Sequence, residues 1–512
     1  MKLPHQSQLN GHIISILFIA FCLFVFFFRL DSPTIRMWDE SREAMKALEM
    51  SLNGNYLVPH FNGQPDMWST KPPLVAWLIT IAMKFFGYNS FSVRLPSAIA
   101  AALTTLCIFY FGKIYFRRTG AGFICGMVLL TSIGFISEHV ARTGDRDALL
   151  TLGITLYSLA FFLYLNLAKS KQIYCLTGMT IGLIIAVLTK GIAGFFGVPA
   201  IIIYAVYTRK IRQIVFSRST YYVILAVIGT VSSYYFLREL YNPGFLNAVF
   251  QNEVLRGLVV LENHKGGPLF YLTELRYGFF PWLYFLPLVW LVFFSQHEEI
   301  KKFVIFGVIY ILSFITVISV AKTKLPWYEA PVYPIASLVA GAIIFVVISQ
   351  MFVFIQNRWN ISNYLKSIIV GIVLCVVFFY PVYKAFYQTI YISQGIIYDW
   401  SRPSPILMYG DYFKALFAEY PSLQELMVIK EESYNAHLDF YVAVERTNGR
   451  AVEILEVSNI SPTSLINLLK PNQHVITCEP EAKRFVETSS SLKAIHHKYS
   501  CSTFILDVGT RS

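Results

Sequence analysis

Charged residues form four short clusters in a sequence that is otherwise strongly apolar. The first cluster, residues 38–43, reads Trp-Asp-Glu-Ser-Arg-Glu and contains adjacent carboxylates that could serve as a functional acid pair. The same residues also suit the start of a helix, with Asp39 or Ser41 as the cap and Glu43 beside the positive end of the helix dipole. Spacing alone leaves both interpretations open.

Two basic segments could bind a phosphate. Lys71 precedes two prolines, which favour an extended backbone at the start of a helix and leave the ammonium free to offer a point charge. A later turn contains Lys322, Lys324 and Tyr328, whose side chains could hold a pyrophosphate or a lipid phosphate.

Another cluster, residues 142–147, reads Arg-Thr-Gly-Asp-Arg-Asp. Asp145 and Asp147 could share a divalent cation if the backbone is extended there, which Gly144 would permit. Alternatively, Asp145 caps a helix and the two arginines pair with the acids.

The remaining cluster lies in the segment 239–277. Glu253 and Arg256 are three residues apart and could form an ion pair on one helix face. His264 follows in the same segment, and by itself it identifies no site.

The elements that must position these clusters are membrane helices. Of 512 residues, 55% are hydrophobic and only 14% are charged, whereas a soluble domain has about a quarter of its residues charged. Apolar runs long enough to cross a bilayer predict about eleven spans. The predicted spans are 12–30, 93–115, 121–138, 145–167, 173–189, 192–207, 220–238, 278–295, 302–320, 329–348 and 367–387.

Two apolar segments need separate interpretation. The first run is too long for the core of a signal peptide and has no small-residue cleavage site after it, so we interpret it as a permanent span. The segment 71–87 is short and interrupted, and we expect a helix at the membrane surface.

The short basic connections all fall on one side when the predicted spans alternate, and this side is predicted to be cytoplasmic. They contain Lys113, Arg117, Arg118, Lys169, Lys171, Arg209, Lys210, Arg212, Lys301, Lys302, Arg358 and Lys366. The loops 31–92 and 239–277, the turns 139–144 and 321–328, and the segment after 387 then lie outside. All four clusters are on that outer side, which predicts one composite site.

The charge distribution distinguishes between nucleic acid and membrane lipid as partners. The net charge of +12 comes from basic residues dispersed over many loops, which favours anionic membrane lipid and argues against nucleic acid.

The chain divides at about residue 387. Residues 1–387 form the predicted membrane domain, and residues 388–512, where charges return between short apolar runs, form a predicted soluble α/β domain. Five of the seven cysteines lie in apolar spans, so only Cys478 and Cys501 are candidates for a disulfide. No cysteine spacing predicts a zinc site.

The motifs in their order resemble the bacterial GT-C membrane glycosyltransferases, specifically the group of the aminoarabinose transferases and the relatives of the protein O-mannosyltransferases. The resemblance covers roughly the first 340 residues. It rests on residues 38–43, Asn62-Gly63, Lys71-Pro72-Pro73-Leu74, Gly87, residues 93–97, residues 141–150, Leu188-Thr189-Lys190-Gly191, Glu253, Arg256, His264, Pro268, Pro281-Trp282, Lys324-Leu325-Pro326, Tyr328, Pro331 and Pro334.

This resemblance implies a polytopic α-helical enzyme of the inner membrane, with its active site and C-terminal domain in the periplasm. The implied donor is a sugar on a polyprenyl phosphate, usually undecaprenyl phosphate in bacteria. The acceptor would be a lipid, glycan or protein, as in the modification of lipopolysaccharide, and the transfer would invert the anomeric centre.

The resemblance also assigns roles to residues. Asp39 would activate the acceptor, with Glu40 and Asp147 as the other catalytic acids. Lys71, Arg256, Lys324 and Tyr328 would bind the donor phosphate. A divalent ion (Zn, Mg or Mn) is the one cofactor it allows, with Glu253 and His264 as ligands.

One departure from the family pattern concerns the acceptor and the metal. Many members carry an acid just before the Lys-Pro-Pro motif, where this chain has Ser69 and Thr70. A metal ligand from this position and the acceptor of the lipid A enzymes are therefore both in question.

Two other classes of protein remain as alternatives. A transporter or flippase of lipid-linked sugars would show two repeated halves with broken spans, and the sequence shows no such repeat. A sugar-binding receptor would need an aromatic-rich recognition surface in its soluble domain, and the C-terminal segment has no such cluster.

Overall fold

The computed structural model describes residues 4–32, 34–137, 139–255, 266–359, 362–393, 408–459, 461–470, 473–488, 492–498 and 500–506. Within these ranges, seven helices are long and apolar enough to cross a membrane, and a bent pair of helices, Phe270–Gly278 and Trp282–Phe294, raises the count to eight if it forms one span. The protein is thus a polytopic membrane protein, as predicted.

The helices of the membrane domain are named in chain order. They are α1 (Pro4–Phe27), α2 (Asp39–Asn53), α3 (Leu74–Phe86), α4 (Ser90–Tyr115), α5 (Thr119–Leu130), α6 (Ile133–Ile136), α7 (Asp147–Asn166), α8 (Gln172–Lys190), α9 (Val198–Tyr207), α10 (Ile211–Val215), α11 (Arg218–Tyr241), α12 (Phe245–Val249), α13 (Phe270–Gly278), α14 (Glu298–Val320), α15 (Val332–Trp359) and α16 (Asn363–Ser393). Short 3-10 helices cover Lys169–Lys171, Gly191–Phe195, Trp282–Phe294 and Pro326–Glu329, a π-helical turn covers Phe250–Leu255, and β1 (His60–Phe61) pairs with β2 (Gln64–Pro65).

The predicted spans coincide with these helices. Helices α5 and α9 are shorter than a full crossing, as is the apolar segment Gly11–Phe27 of α1, so the number of spans stays a prediction. The segment 71–87, which we expect at the membrane surface, contains the short apolar helix α3. Helix α16 continues to Ser393, beyond the predicted end of the last span.

Helices α7 and α8 form a closely packed antiparallel pair that positions part of the site. A Cβ atom on Gly153 would lie 2.7 Å from the backbone nitrogen of Ala186, and one on Gly182 would lie 2.7 Å from that of Tyr157. Small residues of this kind let membrane helices approach closely. The pair therefore brings the first residue of α7, Asp147, next to the last residue of α8, Lys190.

A separate α/β domain follows the last membrane helix, as predicted. Its elements are α17 (Met408–Glu419), β3 (Glu425–Lys430), α18 (Ala436–Thr447), β4 (Ala451–Glu456), a 3-10 turn (Val457–Asn459), α19 (Pro462–Leu468), β5 (His474–Thr477), α20 (Pro480–Glu487), β6 (Leu492–Lys498) and β7 (Cys501–Leu506). The five-stranded sheet has the order β4-β3-β5-β7-β6, with β3 parallel to β4 and β5, and β7 antiparallel to its two neighbours. A disulfide joins Cys478 and Cys501, the two cysteines that the sequence offered for pairing.

Candidate active site

A cavity of about 340 Å³ lies at one end of the helix bundle. It is enclosed by the first loop, the start of α7, the end of α8, the π-helical turn and the turn before α15. Its charged and polar lining consists of Asp39, Arg42, Glu43, Ser69, Lys71, Asp145, Arg146, Asp147, Lys190, Asn252, Glu253, Thr323 and Tyr328. The cavity therefore brings together members of all four sequence clusters.

Asp39 lines this cavity and forms no ion pair with any described residue. It is the first residue of α2, its side chain is exposed to the cavity, and it makes no side-chain hydrogen bond to any described residue. Burial alone would raise the pKa of the Asp39 carboxyl, but the positive charges of Lys71 and Arg146 lower this pKa overall. Asp39 is therefore ionised at neutral pH and its oxygens are available to accept a proton.

Lys71 supplies a second unpaired charge in the cavity. Its ammonium makes no hydrogen bond or ion pair within the described part of the chain. Burial, together with the charge of Arg146, lowers the pKa of Lys71 to about 8. The adjacent Thr70 donates a hydrogen bond to the Glu253 carboxylate at 3.1 Å, which ties the π-helical turn to this segment.

A buried ion network forms the wall beside Lys71. The Arg146 guanidinium contacts Glu43 and donates to the Ser69 hydroxyl at 2.9 Å, and the buried Lys46 contacts Glu43 and donates to the same hydroxyl at 3.1 Å. Asp66 accepts hydrogen bonds from Arg42 at 2.7 Å and from the Ser69 backbone at 3.0 Å. Ser69, which lies two residues before Lys71, is thus placed between two cations.

Sequence reasoning missed Lys46 and Asp66. Lys46 follows Glu43 by three residues within a helix, and this spacing was the available signal for their ion pair. No local pattern marks Asp66, whose partner Arg42 is 24 residues away.

Asp147 and Lys190 form an ion pair inside the cavity wall. Their charged atoms are 2.6 Å apart, and the Lys190 ammonium also lies 4.8 Å from the centre of the Tyr328 ring. The second predicted acid is therefore neutralised by a lysine, and Tyr328 packs over that lysine.

Glu40 lies behind the cavity and does not line it. Its side chain is 2% exposed and accepts hydrogen bonds from the Arg94 guanidinium at 2.6 and 3.0 Å. It also accepts bonds from the backbone nitrogens of Arg36 at 2.9 Å and Gly144 at 3.0 Å. The predicted catalytic role of Glu40 conflicts with this placement, since its oxygens already join three segments of the chain.

Lys324 is also placed differently from the prediction. Its ammonium donates to the carbonyl oxygens of Ser319 at 2.7 Å and Ala321 at 2.8 Å, at the C-terminal end of α14, and its side chain is absent from the cavity lining. Lysine is favoured at this end of a helix because the last carbonyls need donors. The structure therefore argues against the predicted contact of Lys324 with a donor phosphate.

His139 is a site residue that the sequence reasoning passed over. It begins the turn that carries the Arg142–Asp147 cluster, its ring stacks on Trp327 with centroids 3.9 Å apart, and its Nδ1 lies 3.4 Å from Asp145. Burial would lower the pKa of His139, but the adjacent Asp145 carboxylate raises it overall.

One group of side chains in the described residues could hold a divalent ion. Ligand atoms of Asp39, His139 and Asp145 all lie within 4.8 Å of one another. Of the metal ligands predicted from the sequence, Glu253 lines the cavity. The other predicted metal ligand, His264, lies outside the described residues, and so does the predicted phosphate ligand Arg256.

Comparison with known families agrees with this architecture. Residues 70–235, which contain Lys71, Asp147 and Lys190, match the family described as dolichyl-phosphate-mannose-protein mannosyltransferase. The match covers less than half of the chain.

Two curated relatives are named undecaprenyl phosphate-alpha-4-amino-4-deoxy-L-arabinose arabinosyl transferase. The protein from Aeromonas hydrophila is 27% identical over 372 residues, 70% of this chain and 65% of the relative. The one from Pseudomonas fluorescens is 26% identical over 387 residues, 74% of this chain and 64% of the relative. The matched region thus spans less than two thirds of these relatives.

Solved structures share the fold over nearly the whole chain. ArnT from Cupriavidus metallidurans bound to undecaprenyl phosphate aligns with a TM-score of 0.66 at 17% identity, over 97% of this chain and 98% of that protein. The oligosaccharyltransferase AglB from Archaeoglobus fulgidus aligns with a TM-score of 0.51 at 13% identity, over 92% of this chain and 69% of that protein.

The chain shares the GT-C fold of ArnT, here a bundle of membrane helices followed by a small C-terminal α/β domain. The matches confirm the resemblance to the aminoarabinose transferases and protein mannosyltransferases that the motifs indicated.

Proposed function

We propose that this protein transfers a sugar from a polyprenyl-phosphate donor to a lipid, glycan or protein acceptor. The observation that carries the proposal is the placement of Asp39 and Lys71, an unpaired acid and an unpaired cation among the described residues, in one cavity. Displacement of a phosphate leaving group needs both of these groups.

In the proposed reaction, an acceptor hydroxyl attacks the anomeric carbon of the donor sugar. Asp39 takes the hydroxyl proton as the new glycosidic bond forms. The bond from the anomeric carbon to the phosphate oxygen breaks, and Lys71 stabilises the charge on the departing polyprenyl phosphate. This single displacement inverts the anomeric centre.

Other residues would position Asp39 and Lys71. We assign Glu40 to holding the segment before Asp39 through its bonds to Arg94 and the Arg36 backbone. Asp147 and Lys190 would set the electrostatic field of the cavity as a pair, and Tyr328 would lie over the donor phosphate region beside Lys190.

The printed descriptions of similar proteins support the donor class. The curated relatives are named for an undecaprenyl phosphate-linked aminoarabinose, and one structural neighbour was solved with undecaprenyl phosphate bound. We therefore take undecaprenyl phosphate-linked aminoarabinose as the first donor to test.

We further propose that the protein lies in the bacterial inner membrane, with the cavity and the C-terminal domain in the periplasm. The basic short connections support this orientation. The Cys478–Cys501 disulfide supports a periplasmic C-terminal domain, because disulfides persist in oxidising compartments.

A divalent ion would compete with the proposed role of Asp39. If Asp39, His139 and Asp145 hold a Zn, Mg or Mn ion, Asp39 is a ligand and a different group must take the proton. Transfer that continues in EDTA supports Asp39 as the base, whereas loss in EDTA and recovery with one of these ions assigns the three residues to a metal.

The decisive experiment uses the purified full-length protein in lipid nanodiscs with the lipid-linked donor. Release of undecaprenyl phosphate together with a glycosylated acceptor, absent in the Asp39→Asn variant, is the expected result. A transporter or flippase would move the donor between leaflets of a vesicle and release no undecaprenyl phosphate, and that outcome would overturn the proposal.

A further inference from the structure

The C-terminal domain docks directly on the segment that leads into the candidate active site. The Thr34 hydroxyl donates to the Asp411 carboxylate at 2.8 Å, and the backbone N–H of Ile35 donates to the Tyr441 hydroxyl at 2.8 Å. These bonds lie four to five residues before Asp39 and join positions about 400 residues apart in the chain, with separations of 377 and 406.

Two further contacts extend the docking surface along the first loop. The rings of Trp38 and Tyr434 stack with centroids 5.4 Å apart and planes inclined by 14°. The Asn62 amide donates to the Asp439 carboxylate at 3.1 Å. The C-terminal domain therefore contacts the loop on both sides of Asp39 in sequence.

The membrane domain holds the opposite side of the same segment. The Arg94 guanidinium donates to the Thr34 carbonyl at 2.8 Å, and the Arg36 backbone N–H donates to Glu40 at 2.9 Å. Residues 34–36 are thus held between two domains, and Ile35 is completely buried there.

Asp39 depends on this segment for its position. It is the first residue of α2, and the preceding Trp38 provides no side-chain cap to the start of the helix as far as the described contacts show. A helix start without a side-chain cap depends on its neighbours for its position, so the path of the chain through Ile35, together with the hydrogen bonds that hold Glu40, sets where the Asp39 carboxylate lies.

The docking surface tolerates no added atom at Gly410. A Cβ atom there would lie 2.5 Å from the Tyr441 ring and 2.7 Å from the Thr34 Cβ. Gly410 lies within α17, where alanine favours the helix, so a substitution by alanine strains the docking contact and not the helix itself.

We infer that the C-terminal domain is a positioning element of the active site, in which Tyr441 anchors the backbone at Ile35 and thereby holds Asp39 in its catalytic position. This inference rests on the proposed transferase function. Neither Tyr441 nor Gly410 lines the cavity, so each acts through Asp39 and not on the substrate.

The test compares Tyr441→Phe and Gly410→Ala with the control Tyr412→Phe. The control also removes one tyrosine hydroxyl from the C-terminal domain, but that hydroxyl bonds Thr503 at 2.6 Å within the domain. We expect kcat to fall by about threefold or more in Tyr441→Phe and about tenfold or more in Gly410→Ala, because small displacements of a catalytic group cost large factors in rate. The affinity for undecaprenyl phosphate should be unchanged in all three.

A second readout does not depend on activity. Hydrogen exchange measured by mass spectrometry on the peptide containing residues 34–38 should be faster by about tenfold at Ile35 in the two docking variants and unchanged in Tyr412→Phe. Wild-type protection of the amides in the central strands β3 and β5, measured in the same experiment, shows that the domain is folded in each variant.

The outcomes separate this inference from the function on which it rests. If the wild-type protein transfers no sugar, the proposed function fails. If it does, and both docking variants keep the wild-type kcat and exchange rate at Ile35, the positioning role of the C-terminal domain is wrong. Equal loss of kcat in Tyr412→Phe would mean general destabilisation and would also overturn the inference.

Discussion

The ammonium of Lys190 lies 2.6 Å from the carboxylate of Asp147, although 43 residues separate them in the chain. Both side chains are buried, with 8% and 4% of their residue surfaces exposed. Tight packing of α7 against α8 is what brings the two charges together.

Removing one member of this pair should destabilise the protein strongly. Lys190→Met leaves the Asp147 charge buried without its partner, at a cost of about 3 to 5 kcal/mol. The double variant Lys190→Met/Asp147→Leu removes both charges and should recover most of the loss. Thermal unfolding of the detergent-purified proteins measures both effects, and equal stability of the single and double variants would contradict the predicted pairing.

The Asp39→Asn variant should lose turnover and keep its affinity for undecaprenyl phosphate. Asparagine preserves the size of the side chain but cannot accept the acceptor proton, so kcat should fall by about 100-fold or more. Binding of undecaprenyl phosphate should stay within about twofold of the wild type, since the proposed mechanism places Lys71, and not Asp39, against the leaving group. If Asp39 serves only to start α2, the variant will lose a little stability and keep its rate, and near-normal turnover would exclude it as the base.

The pH dependence of undecaprenyl phosphate binding should follow Lys71. Its pKa is lowered to about 8, so the ammonium is charged below this pH and is neutralised above it. A phosphate monoester is already dianionic above a pKa of about 6, so its own charge does not change in this range. The Kd for undecaprenyl phosphate should therefore begin to rise as the pH increases past about 8. Because the bound phosphate raises the pKa of Lys71 in the complex, this rise should end at a higher pH.

Two variants of Lys71 test whether this lysine is the group that titrates. Lys71→Ala should weaken binding at every pH and reduce kcat, because the lysine contacts the phosphate before and during its departure. Lys71→Arg retains a charge that does not titrate below pH 12 and should flatten the pH profile. A wild-type profile that survives in Lys71→Ala would assign the titration to another group.

Cysteine labelling tests the proposed orientation. Single cysteines at His60 and Lys265 should react with a membrane-impermeant thiol reagent added to the periplasmic side, whereas cysteines at Arg118 and Lys210 should react only after the membrane is permeabilised. The five native cysteines outside the disulfide, of which Cys375 is exposed, are replaced first, and the disulfide pair is left intact. The reverse pattern would refute the orientation and place the cavity in the cytoplasm.

Much of the architecture could be predicted because it depends on local composition. Lipid requires long apolar helices, and these are visible as runs of apolar residues wherever they occur in a chain. The presence of many membrane helices, the small C-terminal α/β domain, the candidate pair Cys478 and Cys501, and the segments that supply the cavity could all be found without coordinates.

Only the tertiary structure decided which charged residue in each cluster faces the cavity. Asp39 and Glu40 are neighbours in one motif, but consecutive helical residues point about 100° apart, so Asp39 faces the cavity and Glu40 faces inward to Arg94, 54 residues away. Lys71 and Lys324 look equally suited to a phosphate in the sequence, yet the carbonyls at the end of α14 occupy the ammonium of Lys324. The sequence by itself therefore determined the membrane fold and the residue types of the site. Which of these charges are free and which are neutralised depends on partners far away in the chain, and only packing brings such partners together.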